Sequence, residues 1–162
     1  LMGSVEAVLE AYPTASIEDG DAFICNEPYL AGGTHMPDIS IVTPVFYEGA
    51  PRFFTANIAH HSDVGGSVPG SISGAARSIF EEGIRIPAIK IVRKGVLDRD
   101  LLRLISSNSR DPTERTLDLQ VQVSTNERGA AMVRDLIARM GIDLVERHLR
   151  QGKFGNAVLL AE

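Results

Sequence analysis

The chain has 162 residues, of which 44% are apolar and 23% charged, a composition that suits one folded domain and argues against wholesale disorder. The formal net charge is -5, from 16 basic and 21 acidic residues, and the basic residues are scattered over the second half of the sequence. This balance argues against a nucleic-acid or anionic-membrane surface, because phosphate groups are bound by clustered lysines and arginines.

The lone cysteine, Cys25, lies in an apolar run without a disulfide partner, so we expect a buried structural thiol. No apolar stretch reaches the roughly 18 to 20 residues that a bilayer crossing requires. The N-terminal residues also lack the basic and hydrophobic regions of a signal peptide. We therefore expect a cytoplasmic protein.

The first half of the sequence predicts one helix and three strands, over residues 4–12, 22–25, 38–47 and 52–60. Ser4 is the expected N-cap of the helix, and Pro13 ends it. The segment 26–37 is dense in glycine and proline and is predicted to be a loop. Glu48-Gly49-Ala50 is typical of a hairpin connection between the last two strands.

The second half predicts mostly helices, over residues 73–82, 98–106, 111–140 and 142–150. A break in the long third helix is expected near Thr125-Asn126. Strand-like runs lie at 86–92 and 156–160, and we expect the latter to join a sheet whose other strands lie outside this chain. The order favours an α+β fold: a mixed or antiparallel sheet with a central hairpin, packed by helices concentrated in the C-terminal half.

A polar cluster falls within 29 positions and contains His35, Asp38, His60, His61 and Asp63. If the hairpin turns about Gly49, Asp38 lies opposite His60; a loop shifted by one residue places Asp38 opposite His61. Opposed residues have Cβ atoms about 4.5–5.5 Å apart and share a face of the sheet. The hairpin would therefore bring His35, Asp38 and one of the two adjacent histidines together.

Imidazole and carboxylate groups are accepted ligands of divalent metals, and two histidines with one carboxylate leave positions open for water and substrate. An acid–base site without a metal and purely structural hydrogen bonding are the alternatives. Neighbouring residues on a strand face opposite ways, so only one of the two histidines can join the set. Glycine pairs at 32–33 and 65–66 favour a functional site. No phosphate-binding GxxxxGK or GxGxxG pattern occurs, which argues against a nucleotide site here.

An ordered series of motifs resembles the hydantoinase B/5-oxoprolinase family, which also includes a large subunit of the acetone and acetophenone carboxylases. The motifs lie at residues 20–21, 26–29, 32–38, 43–46, 60–66, 69–70, 82–87, 108–110 and 118–120. Glu27 departs from the family's usual Asn-Asp-Pro-Tyr pattern but keeps a carboxylate. The Gln-Val-Gln stretch at 120–122 is also looser than the family form.

The resemblance implies that residues 1–162 are a single segment of a larger hydantoinase B-type catalytic domain. It implies hydrolysis of the amide ring of hydantoins or 5-oxoproline, after ATP-dependent activation by a hydantoinase A-type subunit or domain in a hetero-oligomer. ATP would be used by that partner and not bound here. A carboxylase subunit of the acetone or acetophenone type and a non-catalytic assembly module are the alternatives.

The resemblance also implies a divalent metal, Zn, Mn or Fe, held by His35, Asp38 and His61. In this scheme Glu27, His60 and Asp63 are the catalytic residues that relay protons. Because the hairpin register is open at this point, His60 and His61 can exchange roles.

Overall fold

The computed structural model describes residues 1–150 and the backbone of residues 157–159. The strands of this part are β1 (Ala22–Cys25), β2 (Asp38–Tyr47), β3 (Ala50–His60), β4 (Ile89–Arg93), β5 (Val96–Leu97) and β6 (Ala157–Leu159). Its helices are α1 (Met2–Ala11), α2 (Pro28–Ala31), α3 (Arg99–Ser106), α4 (Pro112–Met140) and α5 (Ile142–Arg150), with single 3₁₀ turns at Thr14–Ser16 and Ile79–Glu81. The strands form one sheet in the order β5-β4-β1-β2-β3-β6, and every pairing is antiparallel. The predicted α+β class and antiparallel sheet are confirmed.

The hairpin of β2 and β3 dominates the sheet. Glu48 and Gly49 form its two-residue turn with φ of 51° and 80°, the left-handed backbone that matches the natural twist of paired strands. One irregularity near Phe46 shifts the pairing by a residue, and Asp38 then lies opposite His60. The register expected for a hairpin that turns about Gly49 is therefore confirmed.

The two faces of the sheet are covered by different helices. On one face, α4 and α3 pack Leu119, Val123 and Leu102 onto strand residues that include Ile24 and Ile41. On the other face, α1 packs its buried side chains onto the alternate strand residues, among them Phe23, Val42 and Phe54. Cys25 is buried beside α1, as expected. Residues one apart in a strand therefore meet different helices.

The long helix α4 runs without the break predicted near Thr125-Asn126. The Thr125 hydroxyl donates to the Val121 carbonyl one turn earlier, at 2.8 Å. The Asn126 amide donates instead to the sheet, to the carbonyl of Ile41. Because both polar side chains have partners that leave the helical backbone bonds intact, they do not interrupt the helix.

The helix predicted over 73–82 is wrong, since only the 3₁₀ turn Ile79–Glu81 forms there. The Ser73 and Ser78 hydroxyls accept hydrogen bonds from backbone N–H groups two residues later. Such local bonds compete with helical ones. Ser4 is also not an N-cap: it lies inside α1, buried, and donates to the Ser40 hydroxyl at 3.0 Å.

The last strand pairs with a strand of this chain, whereas the sequence predicted partners outside it. Ala157–Leu159 runs antiparallel to Phe53–Thr55 of β3. The end positions of the predicted strand, 156 and 160, lie outside the described residues. In the part of the chain that the structure describes, no helix has the length and apolar character that a membrane crossing requires.

Candidate functional site

The turn that carries His35 is anchored on both sides. Met36 is fully buried, and its carbonyl accepts a hydrogen bond from Asn26 Nδ2 at 2.7 Å. The Pro37 carbonyl accepts from the backbone N–H of His61 at 2.9 Å. The turn is therefore bonded to the loop after β1 and to the end of β3. These two contacts fix the backbone position of His35.

Asp38 and His60 meet because the hairpin register places them directly opposite each other. Nδ1 of His60 lies 3.1 Å from Oδ1 of Asp38. Both residues lie at even-numbered positions that share the α1 face of the sheet with Ser40 and Ile58. The strand pairing alone thus creates the first imidazole–carboxylate contact.

His35 completes a set of three side chains, which we call the His–Asp cluster: His35, Asp38 and His60. Nδ1 of His35 lies 3.2 Å from Asp38 Oδ2, and the two imidazole rings meet edge to face at 4.9 Å. The Thr34 hydroxyl donates to the same carboxylate oxygen at 3.1 Å. The side chains of His35, Asp38 and His60 are 36%, 19% and 51% exposed, so the cluster is open to solvent on one side.

The donor set of the His–Asp cluster fits a divalent metal. One ligand atom from each residue lies within 4.8 Å of the other two. Ligand bonds of about 2.0–2.2 Å at tetrahedral angles would place such atoms about 3.4 Å apart, so small side-chain movements suffice. Nδ1 of His35 is buried and, despite its nearness to Asp38, has no hydrogen-bond partner among the described residues. A buried imidazole nitrogen that lies beside a carboxylate without a hydrogen bond fits the role of a metal ligand.

The structure does not bring His61 into this cluster, although the sequence prediction placed it among the metal ligands. His61 follows His60 and therefore faces α4, where its Nε2 lies 2.8 Å from Gln122 Oε1. The side chain is only 1% exposed. Burial lowers the pKa of the His61 imidazole, and the hydrogen bond to Gln122 only partly offsets this. His60 occupies the place that the prediction gave to His61.

Asp63 was predicted as a proton relay, but its carboxylate oxygens accept hydrogen bonds that hold the surrounding loop in place. Its carboxylate accepts hydrogen bonds from the backbone N–H groups of Gly65, Gly70 and Arg110, and from the Arg110 guanidinium at 2.8 Å. Burial raises the pKa of this carboxyl, but the four hydrogen bonds outweigh burial and hold the pKa well below its usual range. Asp63 thus remains ionised and saturated with donors, and it makes none of its hydrogen bonds with the His–Asp cluster.

Glu27, the third predicted proton relay, caps the short helix α2. Its Oε1 accepts from the Tyr29 backbone N–H at 3.4 Å, and its Oε2 lies 2.6 Å from Nε of Arg85. The carboxylate is 5% exposed. In this structure neither oxygen contacts the His–Asp cluster, so the geometry gives Glu27 a capping and ion-pair role.

Sequence reasoning missed a set of buried and half-buried amide side chains behind the His–Asp cluster. Asn57 of β3 and Gln122 and Asn126 of α4 bond to one another and to the strand carbonyls. A usable signal was present, since Gln122 and Asn126 are four residues apart on a helical face shared with Leu119 and Val123. Amides on the apolar face of a helix need buried partners.

The His–Asp cluster is partly exposed and borders a small cavity. Asp38 borders a cavity of about 30 Å³, room for about one water molecule, which Ser40 and Ile58 also line. A groove of about 590 Å³ lies elsewhere, between β5, α3 and α4, and contains no cluster residue.

The chain is similar to known proteins in both sequence and fold. It matches the family described as hydantoinase B/oxoprolinase over residues 1–153. It is 36% identical over 147 residues to 5-oxoprolinase 1 of Arabidopsis thaliana, which covers 83% of this chain and 12% of the plant protein.

Two solved structures are also similar. The ATP-dependent caprolactamase of Pseudomonas jessenii matches with a TM-score of 0.83 and 30% identity, over 93% of this chain and 26% of that one. Nucleotide-free acetone carboxylase matches with a TM-score of 0.75 and 28% identity, over 88% of this chain and 18% of that one. The chain thus spans less than a third of each of these proteins. By its sequence and fold, it belongs to the hydantoinase B/oxoprolinase family.

Proposed function

We propose that this chain is the metal-holding segment of an enzyme that opens cyclic amides, such as hydantoins or 5-oxoproline, in an ATP-dependent complex. The observation that carries the proposal is the His–Asp cluster. Its two imidazoles and one carboxylate offer ligand atoms within 4.8 Å of one another, and the buried Nδ1 of His35 lies 3.2 Å from Asp38 Oδ2 without a hydrogen bond. The names of the relatives support the substrate class, because 5-oxoprolinase and caprolactamase both denote action on a lactam ring.

In this proposal the ligands of a divalent metal (Zn, Mn or Fe) are His35, Asp38 and His60. His61 is not a ligand. When bound there, such a metal would supply Lewis acidity, which polarises an amide carbonyl and makes water a stronger nucleophile near neutral pH. The Thr34 hydroxyl steadies Asp38 through its hydrogen bond to Oδ2. The exposed side of His60 leaves room for substrate to approach.

The roles of the remaining predicted residues follow from their contacts. Asp63 and Glu27 keep the adjoining loops in place, since their carboxylates are engaged by Arg110 and Arg85. Neither then serves as the proton relay. Water at the open side of the cluster, exchanging protons with bulk solvent, fills that role.

Activation of the substrate by ATP is assigned to a hydantoinase A-type partner, with which this chain would form a hetero-oligomer in the cytoplasm. The sequence has no glycine-rich loop followed by lysine that would cradle a triphosphate. Exposed apolar side chains that a partner could cover include Tyr29, Phe80 and Val121, which are 78%, 77% and 64% exposed.

We expect the purified chain to release no phosphate from ATP in the presence of magnesium, with or without substrate. Sustained release that tracks the chain through purification would contradict this division of labour.

A carboxylase subunit is the second candidate, favoured by the match to acetone carboxylase. The two reactions are separable in the complete complex with ATP. Ring opening of 5-oxoproline or hydantoin yields an amino acid or carbamoyl product without bicarbonate, whereas carboxylation incorporates labelled bicarbonate into an acid-stable product. We expect ring opening alone.

A non-catalytic assembly module is the third candidate, and metal content tests it directly. Elemental analysis of the purified chain should find close to one divalent metal per chain, and a His35→Ala variant should lose it. His148→Ala is the matched control, because His148 bonds to its own helix at Leu144 and lies outside the His–Asp cluster. Absence of metal from the wild-type chain under all loading conditions would favour the assembly module.

A further inference from the structure

Gln122 links α4 to both strands that carry the His–Asp cluster. Its side chain is buried, and its Nε2 donates to the Ile39 carbonyl and to Asn57 Oδ1, each at 2.9 Å. Its Oε1 lies 2.8 Å from Nε2 of His61. Because the amide hydrogens are used elsewhere, Oε1 accepts, and His61 donates from Nε2.

Two of these contacts, those to Ile39 and His61, fall one residue beyond Asp38 and His60. Ile39 follows Asp38 in β2, and His61 follows His60, the last residue of β3. The N–H of His61 is held in turn by the Pro37 carbonyl. Since side chains alternate along a strand, fixing Ile39 and His61 on the α4 face fixes the direction of their neighbours on the α1 face.

We infer that Gln122 is a positioning residue for the His–Asp cluster, acting through the Ile39 carbonyl and the His61 imidazole. The inference rests on the metal site proposed above and adds to it a residue from the opposite face of the sheet. Residues that hold metal ligands in place commonly account for about 10- to 100-fold in metal affinity. Gln122 therefore controls affinity without touching the metal.

Asn126, one turn further along α4, is a matched control. It is buried to a similar degree, and its Nδ2 donates to the carbonyls of Ile41 and Thr55 at 2.8 and 3.2 Å. It thus ties the same helix to the same hairpin, but further from Asp38 and His60 along both strands. Loss of either amide should destabilise the fold, whereas only Gln122 should affect the cluster.

The experiment compares metal binding by the full chain in the variants Gln122→Met, Asn126→Leu and Gln120→Met. Gln120 is exposed on the same helix and controls for the added methionine. Zn²⁺ and Mn²⁺ titrations give the dissociation constants, thermal unfolding gives the stability, and the absorption spectrum of bound Co²⁺ reports the ligand geometry. Gln122→Glu keeps an acceptor for His61 but loses the donors to Ile39 and Asn57. If Gln122→Met does not fold, the metal affinity of Gln122→Glu tests the positioning role instead.

We expect Gln122→Met to weaken metal binding at least about 10-fold and to change the Co²⁺ spectrum. Asn126→Leu should lower the unfolding temperature comparably, with metal affinity and spectrum near wild type, and Gln122→Glu should weaken binding by an intermediate factor. Equal affinities in the Gln122 and Asn126 variants would overturn the positioning role alone. A wild-type chain that binds none of the three metals would overturn the proposed site itself and the inference with it.

Discussion

Two aspartates at the same end of the hairpin have opposite environments. Asp38 contacts two imidazoles and one hydroxyl, and no backbone N–H of the described residues donates to its carboxylate. Asp63 accepts four N–H bonds and pairs with Arg110. Both lie near glycine pairs and both were predicted as site residues. A carboxylate saturated by donors stabilises the fold, whereas one that contacts two imidazoles and a single hydroxyl retains lone pairs for a cation.

The largest effect should come from removing the saturated carboxylate. Asp63→Ala leaves the N–H groups of Gly65, Gly70 and Arg110 without their acceptor, and we expect a loss of about 3 kcal/mol in the free energy of unfolding. Asp38→Ala, at a half-exposed cluster, should cost less than about 1 kcal/mol. Urea denaturation measures both. Equal losses would erase the distinction between the two aspartates.

Alanine substitution of a glycine near each aspartate should show the same contrast, with the larger loss of stability near Asp63. Gly66 has φ of 85°, and an added Cβ would lie 2.5 Å from the Glu81 carbonyl oxygen. Gly32 has φ of 66° but no atom within 4 Å of that position. We expect Gly66→Ala to cost about 2 kcal/mol or more and Gly32→Ala about 1 kcal/mol, the strain of a left-handed alanine alone. Thermal unfolding of the pair gives the comparison, and a reversed order would contradict it.

The stability that Asp63 contributes should depend on pH. Its pKa is lower in the folded chain than in the unfolded chain, so the folded state favours the ionised form. The contribution is complete above the unfolded value of about 4 and falls as the pH drops toward the folded value. The wild type should exceed Asp63→Asn by about 2 kcal/mol at pH 7, with a shrinking difference below about pH 4. A difference that stays constant to pH 3 would show that ionisation is not the cause.

The smallest effect should come from Thr34, whose hydroxyl donates to Asp38 Oδ2 in an exposed setting. A single neutral donor of this kind contributes about 0.5–1 kcal/mol, so Thr34→Val should weaken metal binding by about 3-fold. Thr113→Val, an exposed position on α4, is the control. Metal titration of both variants checks it, and unchanged affinity in Thr34→Val would remove Thr34 from the site.

The hairpin was predictable from the turn residues around Gly49, which left two registers open, with Asp38 opposite His60 or opposite His61. Either register places Asp38, and with it His35, beside one of the two histidines. The choice between His60 and His61 was not predictable, because it depends on a single irregularity near Phe46 that shifts the pairing by one residue. The partners of Asp63 and of Gln122 were also not predicted, because they come from segments distant in sequence. Arg110 lies 47 residues from Asp63, and Gln122 lies 61 residues from His61.

We propose that Asp38, with His35 and His60, binds a divalent metal, whereas Asp63 stabilises the fold. Titration of the apo chain with Zn²⁺ or Mn²⁺, under conditions where every variant is folded, tests it most directly. We predict one site per wild-type chain, an affinity at least about 100-fold weaker in Asp38→Asn, and an affinity within about 3-fold of wild type in Asp63→Asn. A wild-type chain that binds neither metal, or an Asp63→Asn variant that loses as much affinity as Asp38→Asn, would contradict the account.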